Sequence, residues 1–193
     1  MNTYEVVGAI TGLVCVWLAA RQNVWTWPIA LVSVACYFIF FYQIQLYADM
    51  WLQLFFLGSN LYGWYEWIYG GKNKSELPVT RLKPIHIGLL LVVGAVISGL
   101  MGLYFGSFTD ASYPLLDSGL AAFSVIAQIL LTRKKIENWV IWFLVDVVYM
   151  GLYWQKEAHL TAGLYFIFLI IAVQGFWEWR KSMATTKNKA VPV

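Results

Sequence analysis

The chain has 193 residues, of which 61% are apolar, 18% aromatic and only 12% charged, with a mean hydropathy of +0.65. Soluble domains run near ~45–50% apolar and ~25% charged, so this composition excludes a water-facing globule and defines an all-α integral membrane protein. At about 20 residues per crossing, seven helices consume roughly 140 residues and leave short loops and a tail, with no soluble catalytic domain.

The N-terminus, Met1-Asn-Thr-Tyr-Glu5, lacks the basic n-region and cleavage site of a signal peptide, so the first span is expected to stay in the mature protein. Hydropathy blocks follow at about residues 4–20, 24–42, 48–69, 85–106, 114–132, 138–154 and 160–179, each near spanning length. Cys15 and Cys36 sit in the first two blocks with no C-x-x-C pattern, and read as buried, inert thiols. Span three carries Gln53, Asn60 and Trp64, then Glu66 at its end. His86 and His159 lie at the starts of spans four and seven with no second ligand at helical spacing, so no metal site is expected. Span six holds Trp139, Trp142, Asp146 and Tyr149, and span seven holds Gln174 and Glu178. No G-x-x-x-x-G-K-[ST], G-x-G-x-x-G or H-E-x-x-H motif occurs, which removes the usual signatures of ATP hydrolysis, dinucleotide redox and zincin chemistry; no cofactor is expected.

Seven spans put the termini on opposite sides of the bilayer, and the basic residues choose between the two orientations. Arg21, Lys72, Lys74, Arg81, Lys83, Arg133, Lys134, Lys135, Arg180, Lys181, Lys187 and Lys189 fall on the side of the C-terminus, against Lys156 alone on the other. The positive-inside rule then predicts a cytoplasmic C-terminus and an external N-terminus. The net charge of +3 reflects this orientation and does not indicate nucleic-acid binding.

Sliding the chain against itself by 112 places brings residues 21–68 onto 133–180 without a gap. Arg21 meets Arg133, Trp27 meets Trp139, Tyr37 meets Tyr149, Gln43 meets Gln155, and Leu52, Phe56 and Leu57 meet Leu164, Phe168 and Leu169. Gly63-Trp-Tyr-Glu66-Trp67 meets Gly175-Phe-Trp-Glu178-Trp179. Shared grease aligns by chance, but Gly, Gln, Arg and Glu coinciding in one register indicate a duplicated three-helix unit. Span four has no counterpart. The predicted plan is three plus one plus three, with residues 1–69 and 111–180 as parallel repeats, 70–110 as a basic loop and connecting helix, and 181–193 as a cytoplasmic tail. Transporters use such repeats with the substrate near the midplane, and rocking of one half against the other follows by analogy.

An ionisable side chain near the bilayer centre costs on the order of 2.5–3.5 kcal/mol on insertion scales, so it marks a bundle interior or a solute path. Glu66 and Glu178 lie at span ends near basic residues and read first as interfacial anchors. Asp146 lies well inside span six, on a stripe with Trp139, Trp142 and Tyr149 at spacings of three, four and three, which share one helix face. Two indoles, a carboxylate and a phenol suit a flat polar or cationic ring through stacking and cation–π contact. The alternative makes the tryptophans an interfacial belt and pairs Asp146 with a neighbouring helix. Gln53, Asn60 and Trp64 form a second stripe, either interhelical hydrogen-bonding glue or polar groups orienting a ligand. Tyr62 and Gln174, equivalent under the repeat, are a paired gate or packing.

Gln43-Ile-Gln-Leu-Tyr47, Gln53-Leu-Phe-Phe56 and Asn60-Leu-Tyr-Gly-Trp-Tyr-Glu-Trp67 resemble the third span of the PnuC-like family of bacterial vitamin and vitamin-precursor transporters. Asp117-Ser118, Thr132-Arg-Lys-Lys135 and Glu137-Asn-Trp139-Val-Ile-Trp142 resemble its second-half signature. The resemblance covers nearly the whole chain. It implies a SWEET-like three-plus-one-plus-three plan, a homotrimer in the bacterial inner membrane, and facilitated diffusion with the small-molecule substrate trapped by a cytoplasmic kinase. The family's W-x-x-W-x-x-x-N/D substrate motif falls on Trp139, Trp142 and Asp146, which moves that stripe toward the binding reading. Nicotinamide riboside carriers of the family typically have Asn at the last position. Asp146 points instead to the PnuT-like thiamine carriers, because a carboxylate balances the thiazolium or accepts from the aminopyrimidine. Nicotinamide riboside is also cationic and stands second, with neutral riboflavin and deoxynucleosides below. An intramembrane enzyme is disfavoured, since no Ser or Cys has a His at readable spacing. A non-transporting membrane subunit would bind no small molecule and tolerate substitution of the stripe.

Overall fold

The computed structural model describes residues 3–43, 47–108, 113–155 and 159–189. A polar backbone in lipid must satisfy its own hydrogen bonds, and the apolar stretches are accordingly helical. The helices are α1 (Thr3–Ala20), α2 (Thr26–Gln43), α3 (Tyr47–Tyr69), α4 (Pro84–Phe108), α5 (Pro114–Thr132), α6 (Glu137–Gln155) and α7 (His159–Lys189), with one short 3-10 turn at Lys72–Lys74. Proline opens α4 and α5, where its missing N–H costs nothing.

The seven helices stand where the hydropathy blocks predict them, but they are not equally apolar. Pro84–Phe108, Pro114–Thr132 and Ala162–Thr185 are long and apolar enough to cross a membrane, whereas Val6–Ala20 and Thr26–Phe40 are shorter apolar stretches. Helices α3 and α6 are diluted by the polar and aromatic residues that make up the two candidate stripes. Helix α7 also runs past the expected start of the tail, through Lys189, because residues 181–189 contain neither Gly nor Pro to stop it. Lys156, counted in the charge asymmetry, and residues 44–46 of the family motif lie outside the described residues.

The helix bounds recur at the repeat spacing. Adding 112 to α1, α2 and α3 gives the starts of α5, α6 and α7 to within one residue. The turns recur as well. Gln22 has φ 56° and Lys134 has φ 46°, two left-handed residues with side chains, a conformation that costs roughly 1–2 kcal/mol and usually falls to Gly. Both follow a helix end and carry the same bond spanning five residues, Asn23 N to Leu18 O and Lys135 N to Leu130 O, each 2.9 Å.

Two compact units divide the chain: one comprises Met1–Val79, Thr132–Lys134 and Ile170–Val193, the other Thr80–Leu131 and Lys135–Leu169. In the first, Ser33 Oγ donates to Gly8 O at 2.8 Å and Thr26 Oγ1 to Cys15 O at 2.7 Å, tying α1 to α2. Trp27 is buried and lies against Gly63 of α3, where a Cβ would stand 2.3 Å from the indole. Trp27 meets Trp67 edge-on at 5.2 Å, and Trp67 meets Trp179 at 5.8 Å. Trp179 Nε1 donates to Ala19 O at 3.0 Å, satisfying a carbonyl in the last turn of α1, where intrahelical donors run out.

In the second unit small residues again permit close approach: Gly94 faces Phe123, and Gly102 faces Leu115. The strand-like segment before α4 is pinned to the linker before α6. Ile136 N donates to Thr80 O at 3.1 Å, Lys135 Nζ to Thr80 Oγ1 at 2.8 Å, and Leu82 N to Glu137 Oε2 at 3.1 Å. Much of α4, from Ile85 through Leu89, Val92, Val96, Leu100 and Leu103, is exposed, as befits an apolar face toward lipid.

Gly63→Ala is expected to destabilise the purified protein by about 1–3 kcal/mol through overpacking against Trp27. Gly88→Ala, where nothing lies within 4 Å of the added Cβ, leaves the thermal midpoint unchanged. Equal midpoints for the two variants in detergent would show that Trp27 does not occupy the space beside Gly63.

Candidate functional site

The α6 stripe is assembled as the spacing predicts. Trp139 and Asp146 are buried, at 2% and 6% exposure, and Trp142 and Tyr149 are half-buried. Asp146 has no hydrogen-bond or ion-pair partner among the described residues. A carboxyl in that setting is expensive unless a ligand or water meets it.

Helix α3, in the other unit, buries Gln53 and Asn60, at 8% and 4% exposure, with Trp64 half-buried one turn beyond Asn60. Of the two gate candidates, Tyr62 is 40% exposed and lies under the Arg133 guanidinium at 5.1 Å, while Gln174 is exposed on α7. Among the described residues no group of three His, Cys, Asp or Glu is assembled.

Glu66 lies in the last turn of α3, whereas Glu178 lies well inside α7, which continues to Lys189; each has a cation. Glu178 pairs with Lys181 one turn on, at 3.8 Å. Glu66 takes Arg133 at 3.2 Å, a partner 67 residues away that no local pattern announces. Beside it, Lys134 is 4% exposed and holds its ammonium 4.5 Å from the Trp67 ring. Missed by the spacing argument too were Tyr153 and Tyr165. Tyr153 continues the α6 stripe by four residues, a signal that was legible. Tyr165 lies on another helix, and only its place 112 residues after Gln53 marked it.

Seven helices, most of them strongly apolar, with a buried carboxyl on a helix face that also bears three aromatic rings, define a helical membrane protein with a polar interior position. The chain belongs to the nicotinamide mononucleotide transporter family, whose pattern it matches over residues 2–181. It is 30% identical to the nicotinamide riboside transporter PnuC of Escherichia coli (strain K12), across 99% of this chain and 90% of that one. It is 26% identical to the riboflavin/roseoflavin transporter RibM of Streptomyces davaonensis, across 91% and 83%. The crystal structure of the vitamin B3 transporter PnuC superposes with a TM-score of 0.74 at 22% identity, covering 94% of this chain and 82% of that one, so the fold is shared. The protein is thus a PnuC-type, multi-pass bacterial membrane transporter.

Burial pushes the Lys134 pKa below the ordinary lysine value, and the nearby Glu76 carboxylate opposes that shift in part. The folded state therefore binds this proton less tightly than the unfolded chain. Stability rises with pH between the lowered pKa and about 10.4, where an unfolded lysine titrates; below that window the charged form keeps its full burial penalty. The thermal midpoint should climb on the alkaline side of neutrality, and Lys134→Met should flatten the climb. An unchanged slope in that variant would assign the effect elsewhere.

Proposed function

We propose that the protein equilibrates a vitamin bearing a flat, positively charged ring across the bacterial inner membrane. The observation that carries this reading is Asp146, a buried carboxyl without a partner among the described residues, on one helix face with Trp139, Trp142 and Tyr149. The indoles stack on the ring, Asp146 meets its charge or an amine, and Gln53, Asn60 and Trp64 supply orienting contacts. Tyr62 and Gln174 are the gate positions of the same reading.

Nicotinamide riboside takes first place among substrates, because relatives matched along almost the whole chain carry that name. The choice of Asp146 over Asn keeps thiamine as the second reading, since a carboxylate accepts from an aminopyrimidine. Riboflavin, the substrate in the name of one relative, is neutral and gives Asp146 no charge to balance. The recurring helix bounds and the paired left-handed turns support a three-plus-one-plus-three, SWEET-like repeat. The same reading includes seven spans, an external N-terminus and cytoplasmic C-terminus, and a homotrimer. It further includes facilitated diffusion with trapping by a cytoplasmic kinase, and no enzymatic step.

Titration of the purified protein with nicotinamide riboside and with thiamine, followed by tryptophan fluorescence, tests this directly. The chain has 11 tryptophans, two of them in the stripe. Saturable quenching by at least one cation is expected, and quenching by neither would overturn the proposal. Asp146→Asn is expected to weaken thiamine more than nicotinamide riboside. Binding of both unchanged in a folded variant removes the role given to Asp146.

A further inference from the structure

Three phenol rings in the unit that contains α6 lie nearly parallel. Tyr165 of α7 stacks on Tyr149 at 4.9 Å and 28°, and on Tyr153 at 5.4 Å and 16°. Tyr149 and Tyr153 are themselves 6.1 Å apart at 23°. Elsewhere rings meet edge-on or tilted, as Trp27 does on Trp67 at 89° and Tyr104 on Phe108 at 42°. Edge-to-face contact is an ordinary way for aromatic side chains to fill space. A parallel set shares one plane direction, which is the arrangement that receives a further flat ring by stacking.

Two independent features tie this set to the substrate stripe. First, Tyr149 is a member of the stripe and Tyr153 follows it by four residues, so positions 139, 142, 146, 149 and 153 share one face of α6. Second, Tyr165 stands 112 residues after Gln53, so under the repeat it holds in α7 the place that Gln53 holds in α3. All three rings are half-buried, and each phenol offers a hydroxyl at its rim. Tyr153 lies 14 residues beyond Trp139, about 21 Å along the helix, toward the end of α6 remote from the basic linker at Arg133–Lys135.

We infer that Tyr165, together with Tyr153, is a substrate-contacting and specificity-determining element: it extends the α6 stripe into a stacking surface for the flat cationic ring. The inference rests on the transport reading above and adds residues to it. Phenol faces attract a delocalised cation, and stacking is indifferent to which substituents the ring bears. The surface therefore selects flat cations as a class, while Asp146 discriminates within it.

The experiment compares wild type, Tyr165→Leu, Tyr165→Phe and Tyr153→Leu, each purified as the full chain. Dissociation constants for nicotinamide riboside and thiamine are measured alongside thermal midpoints. Tyr165→Leu is expected to weaken binding about two- to tenfold, with Tyr165→Phe close to wild type because the ring is kept. Tyr153→Leu should fall in the same direction and provides the readout if Tyr165→Leu does not fold. Wild-type affinity in folded Tyr165→Leu or Tyr153→Leu overturns the inference while leaving the binding reading intact. Failure of wild type to bind either cation overturns the binding reading itself.

Discussion

The contact of three indoles, Trp27, Trp67 and Trp179, is the constraint on which the first unit depends. Gly63 leaves the space that Trp27 fills, and Trp179 closes the cluster with a hydrogen bond to the end of α1. In lipid the hydrophobic effect does not drive helices together, so close packing and satisfied polar groups must do so. The indoles supply the close packing through their broad faces, and the Trp179 N–H adds a satisfied donor. The cluster also fixes the linker after α5, since Lys134 lies over Trp67 and Arg133 grips Glu66 one residue earlier in α3. Helix α6, which carries the candidate stripe, starts three residues later.

The 112-residue self-match also shows where its two copies differ in polarity. At the repeat spacing, Trp139, Trp142 and Asp146 correspond to Trp27, Ala30 and Val34. Gln53, Asn60 and Trp64 correspond to Tyr165, Ala172 and Phe176. The first indole in each half is buried. The second indole and the carboxylate appear only in the second half, and the two amides only in the first. Each half has thus kept the frame and placed polar chemistry on a different helix. The same polarity makes α3 and α6 the weakest hydropathy signals among the helices that carry the site.

The preference for thiamine that Asp146 suggested shows how much weight one residue can bear. A charge on the site wall recognises a cation, and both candidate vitamins are cations. Charge alone therefore does not separate them, and the distinction must come from the groups each ring bears. Relatives matched along nearly the whole chain are named nicotinamide riboside transporters, which is the ground for ranking that vitamin first in the proposed reading.

Membrane class, helix positions, the 112-residue spacing and the α6 stripe were determined by the sequence alone, because hydropathy and helical period are properties of neighbours along the chain. The partner of Glu66, the burial of Lys134 and of Asp146, and the parallel ring of Tyr165 were decided only by the tertiary structure. Each depends on residues brought together from distant segments, such as Glu66 and Arg133, 67 positions apart. No local period encodes which cation reaches a given carboxylate, or which carboxylate is left without one, since that outcome belongs to the packing of all the helices at once.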